Sequence, residues 1–398
     1  MTTDLNIAVT NGSSLINNYS RYGVEFISGK GSYLFDRSGK KYLDFLSGIA
    51  VTGFGHCHPR IMASVEKQMK SFWHVSNLFQ SSPQEELGQK LGKISGLDKT
   101  FFCNSGSEAN EAAIKFTRLW NKEKFKIITA TGSFHGRTFG SLSATGQYNL
   151  WKDFKPLLPG FSYVPYNSIN AIENSVDEHT AGILLEPIQG ESGVIVPAGG
   201  YLKGIREICD RKNILLIFDE VQTGIGRTGK YFASQWEKVV PDMITFAKGI
   251  ANGIPLGGVI VSEKVAECIY PGSHGSTFGG NPMAVAAANE VLDLLNDDTL
   301  NVIQIAGQKL VENIKTLASP YIKEIRGKGL MIGLEIEATL SAKKIAKLLL
   351  ENGYVVGTSG DSVIRLLPPF IISEKEIKDF TEGLSFVLRQ SLIEKLKK

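Results

Sequence analysis

Ile214-Leu215-Leu216-Ile217-Phe218-Asp219-Glu220 is the stretch that most strongly indicates the fold, because five apolar residues run directly into two carboxylates. A run that is apolar on both faces is typical of a strand buried inside a mostly parallel sheet. In open α/β sheets, ligands bind at the carboxyl ends of such strands. A buried, ionised Asp219 would need a cation or a ligand nitrogen beside it, whereas a surface salt bridge is the alternative interpretation.

Runs of this kind recur along the middle of the chain, separated by segments long enough for helices. The other runs are Thr100–Cys103, Lys126–Ala130, Gly182–Glu186 and Met243–Ala247, and the helical segments include Glu108–Trp120 and Gly200–Arg211. Such alternation is typical of βαβ units. We therefore predict an α/β fold in which a mostly parallel central sheet is flanked by helices.

The two ends of the chain show a different pattern. Residues 31–55 contain a predicted hairpin with its turn at Ser38-Gly39. A long amphipathic helix after residue 300 precedes a predicted strand, Gly329–Ile336. These patterns indicate a second, smaller α+β domain. We expect an N-terminal segment, 1–55, that packs with the small domain, a large domain, 56–300, and a C-terminal small α+β domain, 301–398.

Composition argues against several classes of protein. The 398 residues carry 43 Lys and Arg against 40 Asp and Glu, and a net charge of +3 without a basic stripe argues against nucleic-acid binding. The four cysteines form no CxxC pair, which argues against a disulfide framework and a zinc site. Neither a basic leader nor a run of ~18 apolar residues is seen, so we expect a cytoplasmic protein without a membrane span. The 42 glycines favour tight turns and close backbone approaches to a ligand.

A helix start that suits a phosphate lies at Asn104-Ser105-Gly106-Ser107-Glu108. Ser105 and Glu108 match the S-x-x-E capping box. Free N–H groups, the positive end of the helix dipole and two hydroxyls would converge beside Gly106. The motif therefore predicts a phosphate site, with an ordinary capped helix as the alternative.

A lysine takes the place of the acid at the end of another apolar run, in Met243-Ile244-Thr245-Phe246-Ala247-Lys248-Gly249. Partial burial at a strand end lowers the pKa of a lysine and makes its amine a better nucleophile toward an aldehyde. The run lies about one βαβ step after Asp219. Lys248 and Asp219 could therefore face one crevice.

Two further motifs suggest other classes of protein. Gly224-Ile225-Gly226-Arg227-Thr228-Gly229 matches G-x-G-x-x-G, which keeps a dinucleotide-binding dehydrogenase open as an alternative. That match runs into Lys230-Tyr231-Phe232, however, instead of opening a helix. His56-Cys57-His58 contains metal-ligand residue types, but no second cluster completes a ligand set, so we predict a loop and no metal.

Phe134-His135-Gly136-Arg137-Thr138 places an aromatic ring and a guanidinium within four residues. The ring could stack on a planar heterocycle and the arginine could bind a carboxylate, although a core Phe and a surface Arg are the alternative. Together with the phosphate site, Asp219 and Lys248, the ring completes the contacts that pyridoxal 5′-phosphate (PLP) requires. The sequence therefore predicts PLP as the cofactor.

From Tyr19 to Leu388 the chain resembles the class III, ω-type aminotransferases of PLP fold type I. The resemblance rests on Asn104–Asn110, Phe134–Thr138, Leu185–Glu191, Phe218–Arg227, Lys248-Gly249 and His274–Pro282. It implies a PLP-dependent aminotransferase with a large domain and a smaller α+β domain. Within the family, the stretch Leu43–Val51 is most similar to members that use N-acetylornithine.

The resemblance also implies roles for residues around the cofactor. Lys248 and Asp219 would be the catalytic residues, Lys248 binding the cofactor aldehyde covalently and Asp219 pairing with the ring nitrogen. The other contacts would come from Gly106 and Ser107 at the phosphate, Phe134 and Val221 on the ring faces, and Gln222 at the ring hydroxyl. Thr277 would complete the phosphate site of the neighbouring subunit, which implies a homodimer.

The substrate contacts implied by the resemblance fall into two groups. Arg137 would bind the acylated ornithine, with Ser276 and Tyr19 beside it. Arg365 would hold the α-carboxylate of 2-oxoglutarate or glutamate. Glu191 would pair with Arg365 when the ω-amine substrate is bound and would move away for glutamate.

The implied reaction transfers the δ-amino group of N2-acetyl-L-ornithine to 2-oxoglutarate by a ping-pong mechanism. Its products are N-acetylglutamate 5-semialdehyde and L-glutamate, in arginine biosynthesis. Ornithine, succinylornithine, succinyl-diaminopimelate and 4-aminobutyrate stay open as donors, although Ile49 stands where ornithine-specific members carry tyrosine. A non-catalytic binding protein of the PLP fold is a further alternative.

Overall fold

The N-terminal part of the chain forms a small antiparallel sheet followed by helices. The computed structural model describes the backbone of residues 14–396 and the side chains of residues 14–391. The elements are β1 (Phe26–Lys30), β2 (Tyr33–Asp36), β3 (Lys41–Asp44), α1 (Ser47–Ala50), α2 (Pro59–Met69) and α3 (Ser82–Ser95). Strands β2 and β3 pair antiparallel around the predicted turn at Ser38-Gly39, where the Asp36 side chain accepts hydrogen bonds from two turn amides.

The hairpin is shorter than the expected span to residue 55. The Oδ1 atom of Asp44 accepts hydrogen bonds from the amides of Leu46 and Ser47, which turns the chain away from the sheet. Ser47, Ile49 and Ala50 then adopt positive φ angles of 50°, 67° and 62°. An extended strand requires negative φ, so pairing ends at Asp44.

The middle of the chain alternates strands and helices, as predicted. Its elements are β4 (Lys99–Cys103), α4 (Gly106–Trp120), β5 (Lys126–Ala130), α5 (Phe139–Ala144), α6 (Tyr148–Trp151), β6 (Phe161–Val164), α7 (Ile169–Ser175), β7 (Thr180–Leu185), α8 (Tyr201–Lys212), β8 (Leu215–Asp219), β9 (Met243–Phe246), β10 (Gly257–Val261), α9 (Glu263–Ala266) and α10 (Pro282–Leu294). The strands form one seven-stranded sheet in the order β4-β10-β9-β8-β7-β5-β6.

Strand β10 is the antiparallel member of this sheet, and it pairs with β4 and β9. The sequence interpretation missed it because its two initial glycines resemble a loop. Those glycines have a packing role, since a Cβ atom on Gly258 would lie 2.5 Å from the carbonyl oxygen of Phe101 and 2.6 Å from the ring of Phe246. Strand β6 was also missed.

Both faces of the central sheet are buried by helices. On one face, Leu216 and Phe218 of β8 belong to the same apolar cluster as Tyr201 and Ile205 of α8. On the other face, Leu215 and Ile217 share a cluster with residues of α4 such as Phe116. This two-sided burial explains the continuous apolar run of β8 and confirms the predicted fold class.

The C-terminal part forms a second sheet covered by helices. Its elements are α11 (Asp297–Thr316), β11 (Ile322–Lys328), β12 (Met331–Ile336), α12 (Ala342–Glu351), β13 (Tyr354–Val355), β14 (Gly357–Ser359), β15 (Val363–Leu366) and α13 (Glu374–Leu396). The sheet order is β11-β12-β15-β14, while β13 pairs in parallel with β3 of the N-terminal sheet. The exact boundaries at residues 55 and 300 stay a prediction. Within residues 14–396, no helix is long and apolar enough to cross a membrane.

The G-x-G-x-x-G match forms turns that pack against a helix. Gly226 and Gly229 both have φ angles of +84°, and only a short 3-10 helix, Ala233–Trp236, follows them. A Cβ atom on Gly229 would lie 2.3 Å from the Cγ atom of Gln304 in α11, whose amide donates to the Gly229 carbonyl oxygen. These glycines therefore allow close packing of a turn on a helix, and they do not form the dinucleotide-binding geometry.

Two helical glycines provide a test of the packing. A Cβ atom on Gly307 of α11 would lie 2.0 Å from the backbone oxygen of Gly329, whereas nothing lies within 4 Å of the same position on Gly88 of α3. Because alanine favours a helix over glycine by roughly 0.5–1 kcal/mol, Gly88→Ala should be neutral or stabilising. Gly307→Ala should instead lower the urea midpoint of unfolding. Equal midpoints for the two variants would contradict the tight contact between α11 and Gly329.

Candidate active site

The carboxyl ends of the parallel strands border a cavity of about 320 Å3. Asp219 ends β8, and Lys248 follows shortly after the end of β9. The structure therefore brings these two side chains to one crevice. The same cavity is lined by most of the predicted cofactor residues, namely Gly106, Ser107, Phe134, Val221 and Gln222, and by Glu191.

The start of α4 forms one wall of the cavity. The Ser105 hydroxyl accepts a hydrogen bond from the amide of Glu108 at 3.2 Å, and the Glu108 carboxylate accepts one from the amide of Asn104 at 2.6 Å. The first amides of the helix, including those of Gly106 and Ser107, have no acceptor within the helix and can bind an anion. A Cβ atom on Gly106 would lie 2.7 Å from Val221, so glycine is required for this close approach.

Asp219 is a buried carboxylate with several fixed partners. Its Oδ2 atom accepts a hydrogen bond from Asn110 Nδ2 at 2.8 Å and lies 2.8 Å from Nδ1 of His135. Its Oδ1 atom accepts from the amide of Val221 at 3.0 Å. These contacts compensate the burial of the charge and fix the orientation of the side chain.

Sequence reasoning did not assign roles to Asn110 and His135. Asn110 is fully buried, donates also to the carbonyl oxygen of His135, and accepts from the hydroxyl of Thr245. The sequence does contain a signal for this role, because Asn110 lies among alanines on the side of α4 that faces the sheet. A buried amide there needs hydrogen-bond partners. His135 follows Phe134 directly, and only the folded loop shows that its ring reaches Asp219.

Lys248 is half-buried in the lining of the cavity and begins a short 3-10 helix, Lys248–Ala251. Its φ angle of 48° is left-handed, a conformation that costs a non-glycine residue roughly 1–3 kcal/mol. Burial lowers the pKa of its amine, and the charges of Glu191 and Asp219 oppose this shift only in part. The lysine is therefore closer to its neutral, nucleophilic form than a solvated lysine is.

Arg365 and Glu191 form an ion pair at the edge of the cavity. Nη1 of Arg365 donates to Oε1 of Glu191 at 2.5 Å, and Arg365 is buried in strand β15. Gln222 Nε2 donates to the same carboxylate oxygen at 3.2 Å. Burial acts to raise the pKa of Glu191, but the charge and hydrogen bond of Arg365 outweigh it, so the pKa is lowered.

Glu186 is another buried carboxyl group that lines the cavity. Sequence reasoning did not assign it a role. Its Oε2 atom accepts from the amide of Phe134 at 3.0 Å, and its Oε1 atom accepts from the amide of Gly190 at 3.2 Å. Burial, followed by the charge of Asp219, raises the pKa of Glu186 to about 8. It connects the loop that carries Phe134 to the loop that carries Glu191.

Five of the predicted residues do not line the cavity, and one of them is Arg365, which is paired with Glu191 at its edge. Arg137 is exposed, its guanidinium 5.7 Å from the ring centre of Phe134, although its amide donates to the Ser107 hydroxyl. Ser276 accepts a hydrogen bond from Asn104 at 3.2 Å, which places it near the rim, and Thr277 next to it is exposed. Tyr19 is 67 % exposed and contacts Arg21 instead.

The His56-Cys57-His58 motif has local contacts. Nε2 of His56 lies 2.8 Å from Oδ2 of Asp44, and the ring of His58 packs on Phe54. Cys57 is exposed, with a φ angle of 54°. The motif forms a turn that connects the N-terminal sheet to α2.

The sequence profile of the family described as "Aminotransferase class-III" matches residues 17–388. The chain belongs to the class-III aminotransferase family. The predicted resemblance is confirmed, and with it the PLP fold type I, the aminotransferase activity and the dependence on PLP.

Class-III aminotransferases similar to this chain include curated proteins and solved structures. The chain is 44 % identical to the acetylornithine aminotransferase of Methanocaldococcus jannaschii, over 94 % of this chain and 95 % of the relative. It is 46 % identical to the same enzyme of Bacillus subtilis, over 94 % of this chain and 97 % of the relative. The crystal structure of N-acetylornithine aminotransferase from Stenotrophomonas maltophilia has a TM-score of 0.82 and 33 % identity, covering 93 % of this chain and 97 % of that one. An ornithine aminotransferase from Toxoplasma gondii has a TM-score of 0.92 and 32 % identity, covering 96 % and 94 %.

The cavity residues of this class-III aminotransferase fit PLP. Gly106 leaves space that a Cβ atom would fill, next to helix amides suited to a phosphate. Oε1 of Gln222 is buried and has no hydrogen-bond partner among the residues that the structure describes, so it is available to a ligand. Asp219 supplies a fixed negative charge, and Lys248 an amine, at the same cavity.

Glu186 gives a pH-dependent prediction for the apoprotein. Its pKa of about 8 in the folded state lies above the ordinary value of 4.5 for a glutamate, so its contribution to stability is fully present below about pH 4.5 and is lost as the pH rises through about 8. The free energy of unfolding of Glu186→Gln, relative to wild type, should therefore increase by on the order of 3 kcal/mol between pH 5 and pH 9. Urea unfolding measures this difference, and the exposed Glu123→Gln serves as the control. A difference independent of pH would contradict the raised pKa.

Proposed function

We propose that the chain transfers the δ-amino group of N2-acetyl-L-ornithine to 2-oxoglutarate and so forms N-acetylglutamate 5-semialdehyde and L-glutamate, in arginine biosynthesis. The observation that carries the choice of substrate is the full-length similarity to relatives named acetylornithine aminotransferase. The paired Arg365 and Glu191 support an exchange between a dicarboxylate and an ω-amine at one site. The free cysteines, two of them buried, support a cytoplasmic location.

The residues of the cavity would hold PLP by its separate groups. The amides of Gly106 and Ser107 would bind the phosphate, while Phe134 and Val221 would contact the two ring faces. Asp219 would keep the ring nitrogen protonated, and Asn110 and His135 hold its carboxylate in one orientation. Gln222 would bind the ring hydroxyl. When bound, PLP supplies an aldehyde for the amino group and a ring that takes up electrons.

Lys248 would be the catalytic base. Its amine would hold the cofactor through the aldehyde and would be free to act as a base while a substrate amine is bound. The released amine lies in the same cavity as Asp219, and its lowered pKa favours the neutral form that can accept a proton. Lys248 would then remove a proton from the substrate carbon and deliver it at the other side of the transferred nitrogen.

Arg365 and Glu191 would allow one site to accept two differently charged substrates. With glutamate or 2-oxoglutarate, Arg365 would bind the α-carboxylate in a bidentate manner after Glu191 has moved away. With the ω-amine donor no carboxylate reaches Arg365, and Glu191 neutralises the buried guanidinium. Gln222 donates to the same Glu191 oxygen and stabilises the paired arrangement.

The acylated end of the donor would bind toward the cavity rim. Arg137 is exposed beside Phe134 and free to bind the α-carboxylate of acetylornithine, and Ser276 would lie beside it. Tyr19 would reach the donor from the N-terminal segment. Free ornithine is the second candidate donor, because ornithine aminotransferases are among the similar solved structures. Ile49 stands where the ornithine-specific members carry tyrosine, and we therefore place ornithine second.

The proposed homodimer is supported by an apolar surface near the cavity. Trp73, Leu78, Phe79 and Phe278 are 59–89 % exposed, an unusually large group of exposed apolar side chains. Asn77 donates to the backbone oxygens of Ser276 and Gly279, which joins the segment around Leu78 to the one around Thr277. A second copy that covers this surface would bring Thr277 to its neighbour's phosphate site.

The donor preference tests the proposed function. Purified protein should use N2-acetylornithine with 2-oxoglutarate, with kcat/KM at least about tenfold above that for ornithine, succinylornithine, succinyl-diaminopimelate or 4-aminobutyrate. Lys248→Ala is the control and should lose turnover, because no other amine replaces it in the cavity. Full activity of Lys248→Ala would refute its catalytic role, and a preference for another donor would change the assigned substrate.

A substitution of Arg365 should separate the two half-reactions. Arg365→Ala should slow the 2-oxoglutarate half-reaction by about 100-fold or more, since a bidentate contact to a carboxylate is lost. The half-reaction with acetylornithine should change much less. Rapid-mixing absorbance measurements follow each half-reaction separately, and equal losses in both would argue against a role specific to 2-oxoglutarate.

Mixed dimers should show whether Thr277 acts on the neighbouring subunit. Thr277→Asp should impair phosphate binding through charge repulsion, and Lys248→Ala should inactivate the site of its own chain. A heterodimer of the two variants would then contain one complete site, made from Lys248 of one chain and Thr277 of the other. Activity should therefore appear on co-expression although each variant alone is inactive. No recovery in isolated heterodimers would mean that Thr277 serves its own subunit or that the dimer differs.

A further inference from the structure

A second cavity lies away from the PLP site, between the segment Ser20–Val24, strand β3 and helix α12. Its volume is about 520 Å3, within the range of roughly 300–1,000 Å3 that is typical of small-molecule sites. The buried side chains of Tyr42 and Leu350 form an apolar floor, and Tyr22 lies at the opposite wall. The planar part of a ligand could therefore be buried between aromatic and aliphatic side chains.

The lining of this cavity is strongly cationic. Arg21, Lys40, Lys343 and Lys347 border it, against one acidic residue, Glu351. Among the side chains of residues 14–391, none of these four cations forms an ion pair with a carboxylate. Lys40 donates to the neutral backbone oxygen of Glu351 at 2.6 Å. With the single carboxylate of Glu351 against four cations, the lining keeps a net positive charge where a ligand would bind.

Glu351 lines the cavity, and the carboxylates of the neighbouring segments already have partners. Asp36 accepts hydrogen bonds from Ser38 and from the hydroxyl of Tyr42, and Glu25 pairs with Arg37. Asp361 accepts a hydrogen bond from Ser341 at the start of α12. This hydrogen bond is the main cause of the lowered pKa of Asp361, and Lys343 contributes less. These side chains leave the four cations available to a mobile anion.

We propose that this cavity is a regulatory site for an organic polyphosphate with a planar aromatic part, the chemistry of a nucleoside diphosphate. The guanidinium of Arg21 suits bidentate phosphate binding, and the three lysines add point charges. Lys343 and Lys347 are four residues apart on α12 and lie on one exposed face, so both reach the same phosphate chain. Tyr22, 55 % exposed, provides the ring on which the planar part would stack, and the buried Tyr42 and Leu350 lie in the floor of the cavity.

The cavity and the Glu191–Arg365 pair lie on opposite faces of one edge strand. Thr358 of β14 lines the cavity, whereas the adjacent Ser359 donates from its hydroxyl to the backbone oxygen of Glu191 at 2.5 Å. Successive residues of a strand point to opposite faces. Gly357 of the same strand pairs with Arg365. A ligand that shifts β14 would therefore change the fraction of molecules in which Glu191 is paired with Arg365. This consequence rests on the proposed function.

Calorimetric titration of the PLP-loaded protein with ADP tests the site directly. The holoenzyme is used because PLP occupies the phosphate-binding start of α4. We expect one ADP per chain, and at least about tenfold weaker binding to Lys343→Ala/Lys347→Ala, since two charge-assisted contacts are lost. The matched control is Lys375→Ala/Lys378→Ala, two exposed lysines on α13 outside the cavity, which should bind ADP as wild type does.

Adenosine and pyrophosphate separate the two parts of the ligand. Both should bind more weakly than ADP, because each lacks either the charge or the planar part. No binding of ADP, or equal weakening in both double variants, would overturn the site. Pyrophosphate binding as tight as that of ADP would overturn recognition of the planar part.

The regulatory role has its own readout. Saturating ADP should change the KM for 2-oxoglutarate by at least about threefold in wild type and in Lys375→Ala/Lys378→Ala, but not in Lys343→Ala/Lys347→Ala. An unchanged KM with ADP bound would overturn the regulatory role. Failure of the donor assignment would leave the calorimetric result intact, so the two proposals can be refuted separately.

Discussion

The buried carboxylate of Asp219 is the constraint on which the rest of the site depends. A charge at the end of a fully buried strand is unfavourable without partners, and here Asn110, His135 and the amide of Val221 all contact it. These partners come from α4, from the loop after β5 and from the turn after β8. Stabilising one carboxylate therefore aligns three elements around the cavity, and it holds the start of α4 beside the loop of Phe134, where the amide of Arg137 donates to the Ser107 hydroxyl.

A second charged pair extends this arrangement to the C-terminal sheet. Arg365 is buried in β15 and needs an anion, which Glu191 supplies from the loop after β7. Since a buried guanidinium is costly when unpaired, the proposed departure of Glu191 requires that another carboxylate take its place. Under the proposed function, this requirement would let one site accept two differently charged substrates while the guanidinium stays paired.

Much of this arrangement could be predicted from local sequence patterns. The apolar runs identified the central strands because burial on both faces leaves no polar alternation, and the S-x-x-E motif located the start of α4 to within two residues. Strand β10 was missed because its glycines, which permit contact with Phe101 and Phe246, resemble a loop. The partners of Asp219 were missed for a related reason, since hydrogen bonds between distant segments leave no periodic signal in the chain.

By itself, the sequence determined the fold class, the positions of Asp219 and Lys248 at strand ends, and the family, because each depends on residue types at short spacing. The tertiary structure alone decided which distant groups meet. The bridge made by Glu186, the contact of His135 with Asp219, and the cationic cavity beside α12 each join segments that are far apart in the chain. Burial and charge compensation act through space, and therefore only the folded chain shows which side chains balance one another.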